Sequence, residues 1–334
     1  MTNALITGVT GFVGSHLVDY LLEKTDWTLY GLTRWRSPLN NLQQHLGRIE
    51  KGDRLFLLNG DLRDEISIRQ AVLESEPDYV FHLAGQSFPK TSFRAPIDTL
   101  DTNILGTCRL LEAICFLRHE AKVHVCASSE VFGRVTKDEL PINEECRFHP
   151  ASPYAISKVG TDLLGRFYAE AYGMHVQTTR MFSHTGPRRG DVFAESNFAK
   201  QIAMIERGLI EPVIKVGNLN SMRTWADVRD AVRAYHMLLT VDPKPGAYYN
   251  IGGEFSCTIN DMLEVLISMS RVRPRIEEDL TRLRPIDADL QVPSTTKFRE
   301  HTGWKPQIPF RRTMSDLLNY WRGEIVRQRP VLLR

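Results

Sequence analysis

The segment Gly8-Val9-Thr10-Gly11-Phe12-Val13-Gly14 constrains the fold of this chain more than any other. It follows the apolar run Ala4–Thr7 and opens a stretch with Val13, Leu17 and Leu21 at helical spacing. Glycines at a strand-to-helix turn permit a tight bend and let backbone N–H groups approach a pyrophosphate at the helix N-terminus. A turn that needs glycine only for close packing is the alternative. Placement directly after the first strand favours a dinucleotide, with Gly8, Gly11 and Gly14 as the close-approach positions.

Beyond that turn, short apolar runs alternate with amphipathic stretches. Leu29–Thr33, Leu55–Leu58, Val80–Leu83, Val123–Ser128 and the run around 175–181 read as strands. Asp64–Leu73, Thr99–Leu117 and Pro153–Tyr172 read as helices between them. Such alternation predicts a doubly wound, Rossmann-type α/β parallel sheet covered on both faces. Past residue 185 breakers accumulate, beginning with Gly186-Pro187-Arg188-Arg189-Gly190. We expect residues 1–185 to form the dinucleotide-binding domain and 186–334 a smaller mixed α/β substrate lobe, with chain crossing between them.

Composition removes other classes. With 42 Lys+Arg against 40 Asp+Glu, the net charge is +2 over 334 residues and the signs are mixed. No basic run exists to neutralise a phosphate backbone, so nucleic acid is not an expected partner. No segment reaches the ~18 apolar residues of a membrane span. Five scattered cysteines without a C-x-x-C pair fit a reducing, cytoplasmic setting, and no cluster predicts a metal.

Two further features speak to cofactor and chemistry. After the second strand, Thr33-Arg34-Trp35-Arg36 carries arginines where an acidic residue would hold a ribose 2′-hydroxyl; this favours NADP, with NAD left open. Asp61, in Gly60-Asp61-Leu62, is placed for an adenine amino group. Ser152-Pro153-Tyr154-Ala155-Ile156-Ser157-Lys158 sets Tyr154 and Lys158 four residues apart behind a good N-cap and a first-turn proline. An ammonium beside the phenol is expected to lower its pKa and make a base for an alcohol proton as hydride leaves the carbon. Ser128-Ser129-Glu130 ends a strand upstream, where a hydroxyl can hold the same oxygen.

These motifs together resemble the extended short-chain dehydrogenase/reductases: the glycine loop, His82-Leu83-Ala84-Gly85, Asn103, the Ser129/Tyr154/Lys158 set, and Arg180-Met181-Phe182-Ser183-His184-Thr185-Gly186-Pro187. Within them the chain is similar to the GDP-mannose 4,6-dehydratase branch and its sister reductases. Ser128-Ser129-Glu130-Val131-Phe132-Gly133 and Gly217-Asn218-Leu219-Asn220-Ser221-Met222-Arg223 resemble the dehydratases. Asn197-Phe198-Ala199-Lys200-Gln201-Ile202 and Thr302-Gly303-Trp304-Lys305-Pro306 resemble the reductases.

The resemblance implies that Thr10, Gly11, Phe12 and Val13 wrap the pyrophosphate, Arg34 meets the 2′-phosphate, and Asp61-Leu62 meets adenine. Leu83, Ala84 and Gln86 would line the nicotinamide side. Asn197, Lys215, Arg223 and Arg284 match sugar-nucleotide positions, the two arginines on its phosphates. Ser183 stands where the family usually has Asn, a departure that bears on sugar contacts. Ser128, Ser129, Glu130, Tyr154 and Lys158 form the implied catalytic set. The leading expectation is a dehydratase acting on a GDP-linked sugar, with Glu130 as the extra acid/base group. A 4-keto sugar reductase comes second and a 4-epimerase third; a non-catalytic NADP or sugar-nucleotide regulator is the reading from another class. Dimers or tetramers are implied, with Arg188-Arg189-Gly190 near subunit contacts.

Overall fold

The computed structural model describes residues 2–283, 285–286 and 288–332. Strands β1 (Asn3–Thr7), β2 (Thr28–Thr33), β3 (Leu55–Asn59), β4 (Tyr79–His82), β5 (Lys122–Cys126) and β6 (Val176–Met181) alternate with helices in the first half. The helices are α1 (Phe12–Lys24), α2 (Leu46–Lys51), α3 (Glu65–Ser75), α4 (Pro89–Arg94), α5 (Pro96–Leu100), α6 (Gly106–Leu117) and α7 (Pro153–Tyr172). The second half supplies β7 (His184–Thr185), α8 (Ala194–Glu206), β8 (Val213–Val216), β9 (Met222–Asp227), α9 (Val228–Thr240) and β10 (Tyr248–Ile251). It ends with β11 (Phe255–Thr258), α10 (Ile259–Ser268), β12 (Arg275–Glu278), β13 (Leu290–Gln291), α11 (Thr296–Thr302) and α12 (Phe310–Leu332).

Seven strands form one parallel sheet in the order β10-β6-β5-β4-β1-β2-β3. The order reverses between β1 and β4, so the turns after these strands diverge and open a crevice at their C-terminal ends. One face of the sheet is covered by a core that includes Leu17 and Leu21 of α1 and Tyr235 and Leu238 of α9. The other is covered by Val72 of α3, Leu110 and Ile114 of α6, and Tyr168 of α7. Helices on both faces explain why the strands read as apolar runs rather than alternating ones.

Two findings differ from the sequence expectation. The strand Tyr248–Ile251, read as part of the second lobe, pairs with β6 in register Tyr248↔Thr178 and completes the main sheet. The helix expected over Thr99–Leu117 is interrupted by a π-helical turn at Asp101–Leu105. That turn gives Asn103 its contacts: its Oδ1 accepts from Gln86 N–H at 2.8 Å and its Nδ2 donates to Ser157 Oγ at 2.8 Å. Its carbonyl accepts from the hydroxyls of Thr107 and Thr161, so this buried acceptor of the widened turn is doubly partnered. The remaining lobe has its own core, with Phe198 and Ile202 of α8, Leu263 of α10 and Leu317 of α12. No helix among the described residues is long and apolar enough to cross a membrane.

Within the sheet, His82 bonds Thr7 and Thr107 through its two ring nitrogens, and His124 Nε2 lies 2.8 Å from Thr179 Oγ1. Burial and then the nearby Lys158 ammonium hold His82 down at about 3; burial, then His82 and Lys158, do the same for His124. The unfolded chain protonates such rings near pH 6.5. Between pH 6.5 and about 3 the unfolded state therefore binds more protons, and this contribution to stability is full above pH 6.5 and falls as pH drops. Urea denaturation is expected to show declining stability below pH 6.5. Removing one ring, as in His124→Gln, is expected to flatten that slope.

Candidate active site

The crevice at the sheet's C-terminal edge is a cleft of about 1190 Å³ whose lining spans both lobes. Its floor begins at the glycine turn. Gly8 has φ +72°, and a Cβ there would lie 2.9 Å from the Ala84 backbone; one at Gly14 would lie 2.2 Å from the Gly8 carbonyl oxygen. The turn is thus packed against both the β4 exit and its own helix. Gly11, the N-cap of α1, makes no side-chain cap bond, and the first turn carries no acidic residue. Backbone N–H groups and the positive helix end are open to an anion, so this cradle fits a dinucleotide pyrophosphate.

Thr10, Phe12, Val13, Arg34, Asp61, Leu62, Leu83, Ala84 and Gln86 all line the same cleft. Asp61 accepts from the Arg63 backbone at 2.9 Å and pairs with its guanidinium at 3.4 Å. Partial burial would raise its pKa, but these bonds and the charges of Arg63 and Arg34 hold it below the usual range. Gln86 Nε2 donates to Thr99 Oγ1 at 3.1 Å and its Oε1 accepts from Phe88 N–H. Its side chain therefore shapes the loop after β4. Asn41, which the sequence reading passed over, donates to the Thr10 carbonyl at 3.0 Å and braces the turn.

On α7, Ser152 caps Ala155 N–H at 3.0 Å and Pro153 takes the first turn, which starts the helix at the intended residue. Tyr154 and Lys158 face the cleft. The expected pairing of the two needs correction. Lys158 Nζ donates to the Cys126 carbonyl at 2.7 Å, drawn there because a buried ammonium needs an acceptor. Burial pushes the Tyr154 phenol above its usual range, and the nearby Ser128 hydroxyl and the Arg189 charge oppose this. Both Ser128 and Ser129 line the cleft. Ser128 is the hydroxyl beside the phenol and accepts from Glu130 N–H at 3.2 Å, whereas Ser129 begins the short helical turn. Glu130 opens on the same cleft.

Arg189 is the residue whose role the sequence reading placed elsewhere, near subunit contacts. Its guanidinium lies 3.5 Å from the Phe193 ring centroid and 5.1 Å from that of Phe12, and its Nε donates to Glu195 at 3.1 Å. Neighbouring His184 stacks on Phe12 at 5.8 Å and has a buried Nε2 without a partner. Burial, then the Arg189 charge, lower His184 to about 4, so its ring is neutral. The Pro187-Arg188-Arg189-Gly190 motif could have signalled this cluster, but nothing in its spacing says which arginine turns inward.

The substrate-side candidates separate. Ser183, Asn197 and Arg223 line the cleft. Asn197 Oδ1 already accepts from Arg282 at 2.6 Å and from Gln201 at 2.8 Å. Lys215 does not line it: the alternation of β8 buries Ile214 and Val216 and leaves Lys215 exposed. Arg284 lies outside the described residues. Arg282, missed in the sequence, lines the cleft beside Asn197 and also bonds Asp279. Lys90 of α4 donates to the Thr281 carbonyl across the mouth, joining the two lobes. Among the described residues no group of three His, Cys, Asp or Glu could hold a metal.

Comparison with known proteins agrees with this architecture. A family model described as GDP-mannose 4,6 dehydratase matches residues 5–317. The GDP-6-deoxy-D-mannose reductase of Pseudomonas aeruginosa is 32% identical over 327 residues, covering 97% of this chain and 99% of that protein. The GDP-mannose 4,6-dehydratase of Yersinia enterocolitica is 31% identical over 350 residues, covering 95% of this chain and 93% of that protein. Among solved structures, RMD from Pseudomonas aeruginosa complexed with NADPH matches with a TM-score of 0.82 and 31% identity, over 97% of this chain and all of that one. By sequence, by fold and by the arrangement of its cleft, the chain belongs to the GDP-mannose 4,6-dehydratase family.

Proposed function

We propose that the protein is an NADP-dependent sugar-nucleotide 4,6-dehydratase that converts GDP-mannose to GDP-4-keto-6-deoxy-mannose. One observation carries the reading. The Ser128 hydroxyl, which accepts from the backbone of Glu130, lies in the same cleft as the Tyr154 phenol and the Glu130 side chain, so a proton acceptor and a carboxylate face one cleft. The guanosine link is taken from the relatives named above. The glycine turn, Arg34 and Asp61 would hold the dinucleotide. When bound, its nicotinamide supplies a hydride acceptor and donor, so oxidation and later reduction of the sugar need no external reductant.

The residues then divide the proton work. Ser128 holds the C4 oxygen and Tyr154 takes the proton from the C4 hydroxyl. Arg189 favours the phenolate that burial alone disfavours, while Lys158 is held on the Cys126 carbonyl behind it. Once C4 is a carbonyl, the C5 proton is acidic. Glu130 removes it and returns a proton to the C6 hydroxyl, which leaves as water. Arg223 and Arg282 supply guanidinium forks for the diphosphate, and Ser183 leaves more room at the sugar than the usual Asn.

Glu130→Gln keeps shape but removes the ionisable carboxylate. Mixed with GDP-mannose, this variant is expected to accumulate reduced nicotinamide and release little dehydrated product, a loss of about 10²–10⁴-fold in turnover. Absorbance read beside product mass checks this. A second reading, the NADPH-dependent 4-keto sugar reductase, is favoured by the end-to-end match to the Pseudomonas aeruginosa enzyme. Wild-type protein that leaves GDP-mannose unchanged but oxidises NADPH with the 4-keto-6-deoxy sugar would establish that reading and overturn the first.

Arg34 selects the cofactor through the 2′-phosphate. Arg34→Ala is expected to weaken NADP binding far more than NAD binding in titration; equal losses would overturn the assignment.

We further infer a homodimer or homotetramer in the cytoplasm. Phe116 of α6 and Leu163, Phe167 and Tyr172 of α7 are exposed on adjacent helices, an apolar face that a second copy would cover. All five cysteines are free thiols, as a reducing compartment maintains them. Sedimentation at working concentration is expected to give a dimer or tetramer, and a monomer would overturn the assembly.

A further inference from the structure

Tyr154, Lys158 and Asp162 recur at four-residue intervals and so share one stripe of α7. The first two face the cleft; Asp162 is fully buried behind them. Its carboxylate is gripped by Arg180 of β6, Nε to Oδ2 at 2.8 Å and Nη2 to Oδ1 at 3.1 Å. Arg180 is itself 1% exposed, and its remaining Nη1 donates to the Glu144 carbonyl at 2.7 Å. All three of its nitrogens are therefore committed.

The faces of the same guanidinium are covered by aromatic rings. Its carbon lies 4.5 Å from the Tyr248 ring centroid, 4.8 Å from that of Phe148 and 5.5 Å from that of Phe132. Phe132 belongs to the turn that carries Ser128 and Glu130: its N–H bonds the Ser129 carbonyl, and Gly133 N–H bonds the Glu130 carbonyl. Phe132 also packs on Phe182, which follows Arg180 by two residues and precedes Ser183. One planar cation thus touches the helix of Tyr154 and the turn of Glu130, and it sits on the strand that leads to Ser183.

A buried ion pair is weak as a source of stability, since its desolvation cost rivals its attraction, and apolar replacements of such pairs are often neutral. What it does supply is fixed direction: a bidentate fork sets both distance and plane. We propose that Arg180, locked by Asp162, is a positioning residue that sets Ser128 and Glu130 relative to Tyr154, so that proton abstraction at C4 and elimination across C5 and C6 occur in one alignment. This rests on the dehydratase reading for its second half only, because a reductase also needs Ser128 aligned with Tyr154.

The test uses the whole chain, four variants at the pair and one control variant. Arg180→Lys keeps the charge and loses the fork. Arg180→Met and Asp162→Asn each break the pair, and the double variant Asp162→Asn/Arg180→Met restores neutrality. A misplacement near 1 Å costs roughly 10²-fold in rate, so the two single breaks are expected to lose about that in kcat while KM and cofactor affinity hold. Arg180→Lys is expected to lose a smaller part with little change in thermal midpoint. With GDP-mannose, the variants are expected to show slower single-turnover reduction of nicotinamide and slower release of dehydrated product per folded molecule, a signature that simple destabilisation does not produce. The double variant is expected to recover thermal midpoint but not kcat. Leu238→Ala, in the core on the opposite face of the sheet, serves as the destabilised control with normal kcat per folded molecule. Recovery of kcat together with stability in the double variant, or wild-type kcat in Arg180→Lys, would overturn the proposal. If wild type acts only as a reductase, the same variants are read by kcat for the 4-keto sugar, so failure of the dehydratase reading stays distinct from failure of the positioning role.

Discussion

The close approach of the first glycine turn to the end of β4 is the constraint on which the rest of the cleft depends. A side chain at Gly8 would strike the backbone of Ala84, and one at Gly14 the carbonyl of Gly8. Because β1 and β4 are neighbours at the point where strand order reverses, their following turns diverge yet share a wall. That wall fixes the helix N-terminus of α1, the loop around Gln86 and, through Asn103, the catalytic helix α7. A widened turn before α6 is the local accommodation that makes this chain of hydrogen bonds complete.

Charge inside the cleft is organised by burial first and pairing second. Burial moves Tyr154 up, and Lys158, Arg189 and His184 down. Each of these shifts favours the neutral form, and each is answered by a neighbour: Ser128 for the phenol, the Cys126 carbonyl for the ammonium, Glu195 for the guanidinium and the Phe182 carbonyl for the His184 ring.

The two activities found among the relatives use a common frame. Both need a phenol, a hydroxyl and a nicotinamide aligned on C4; elimination asks in addition for a carboxylate within reach of the neighbouring carbons. Glu130 lines the cleft on the turn that also carries Ser128, and Phe132 of that turn lies against the Arg180 guanidinium.

The sequence by itself determined what short-range physics controls. The glycine spacing, the apolar runs, the Ser152 cap and the Pro153 start fixed the nucleotide turn, six of the seven sheet strands and a catalytic helix with the expected boundaries. Tyr154 and Lys158 were legible because helical periodicity places them on one face. Tertiary structure decided everything that depends on which distant group fills a pocket or accepts a hydrogen bond. It brought Tyr248–Ile251 into the main sheet, turned Lys158 to Cys126, set Ser128 beside the phenol, drew Arg189 into the cleft and left Lys215 outside it. Local patterns carry no information about such choices. They are settled by desolvation and by partners far apart in the chain, as when Arg180 finds Asp162 and Glu144 only after α7 and β6 have packed.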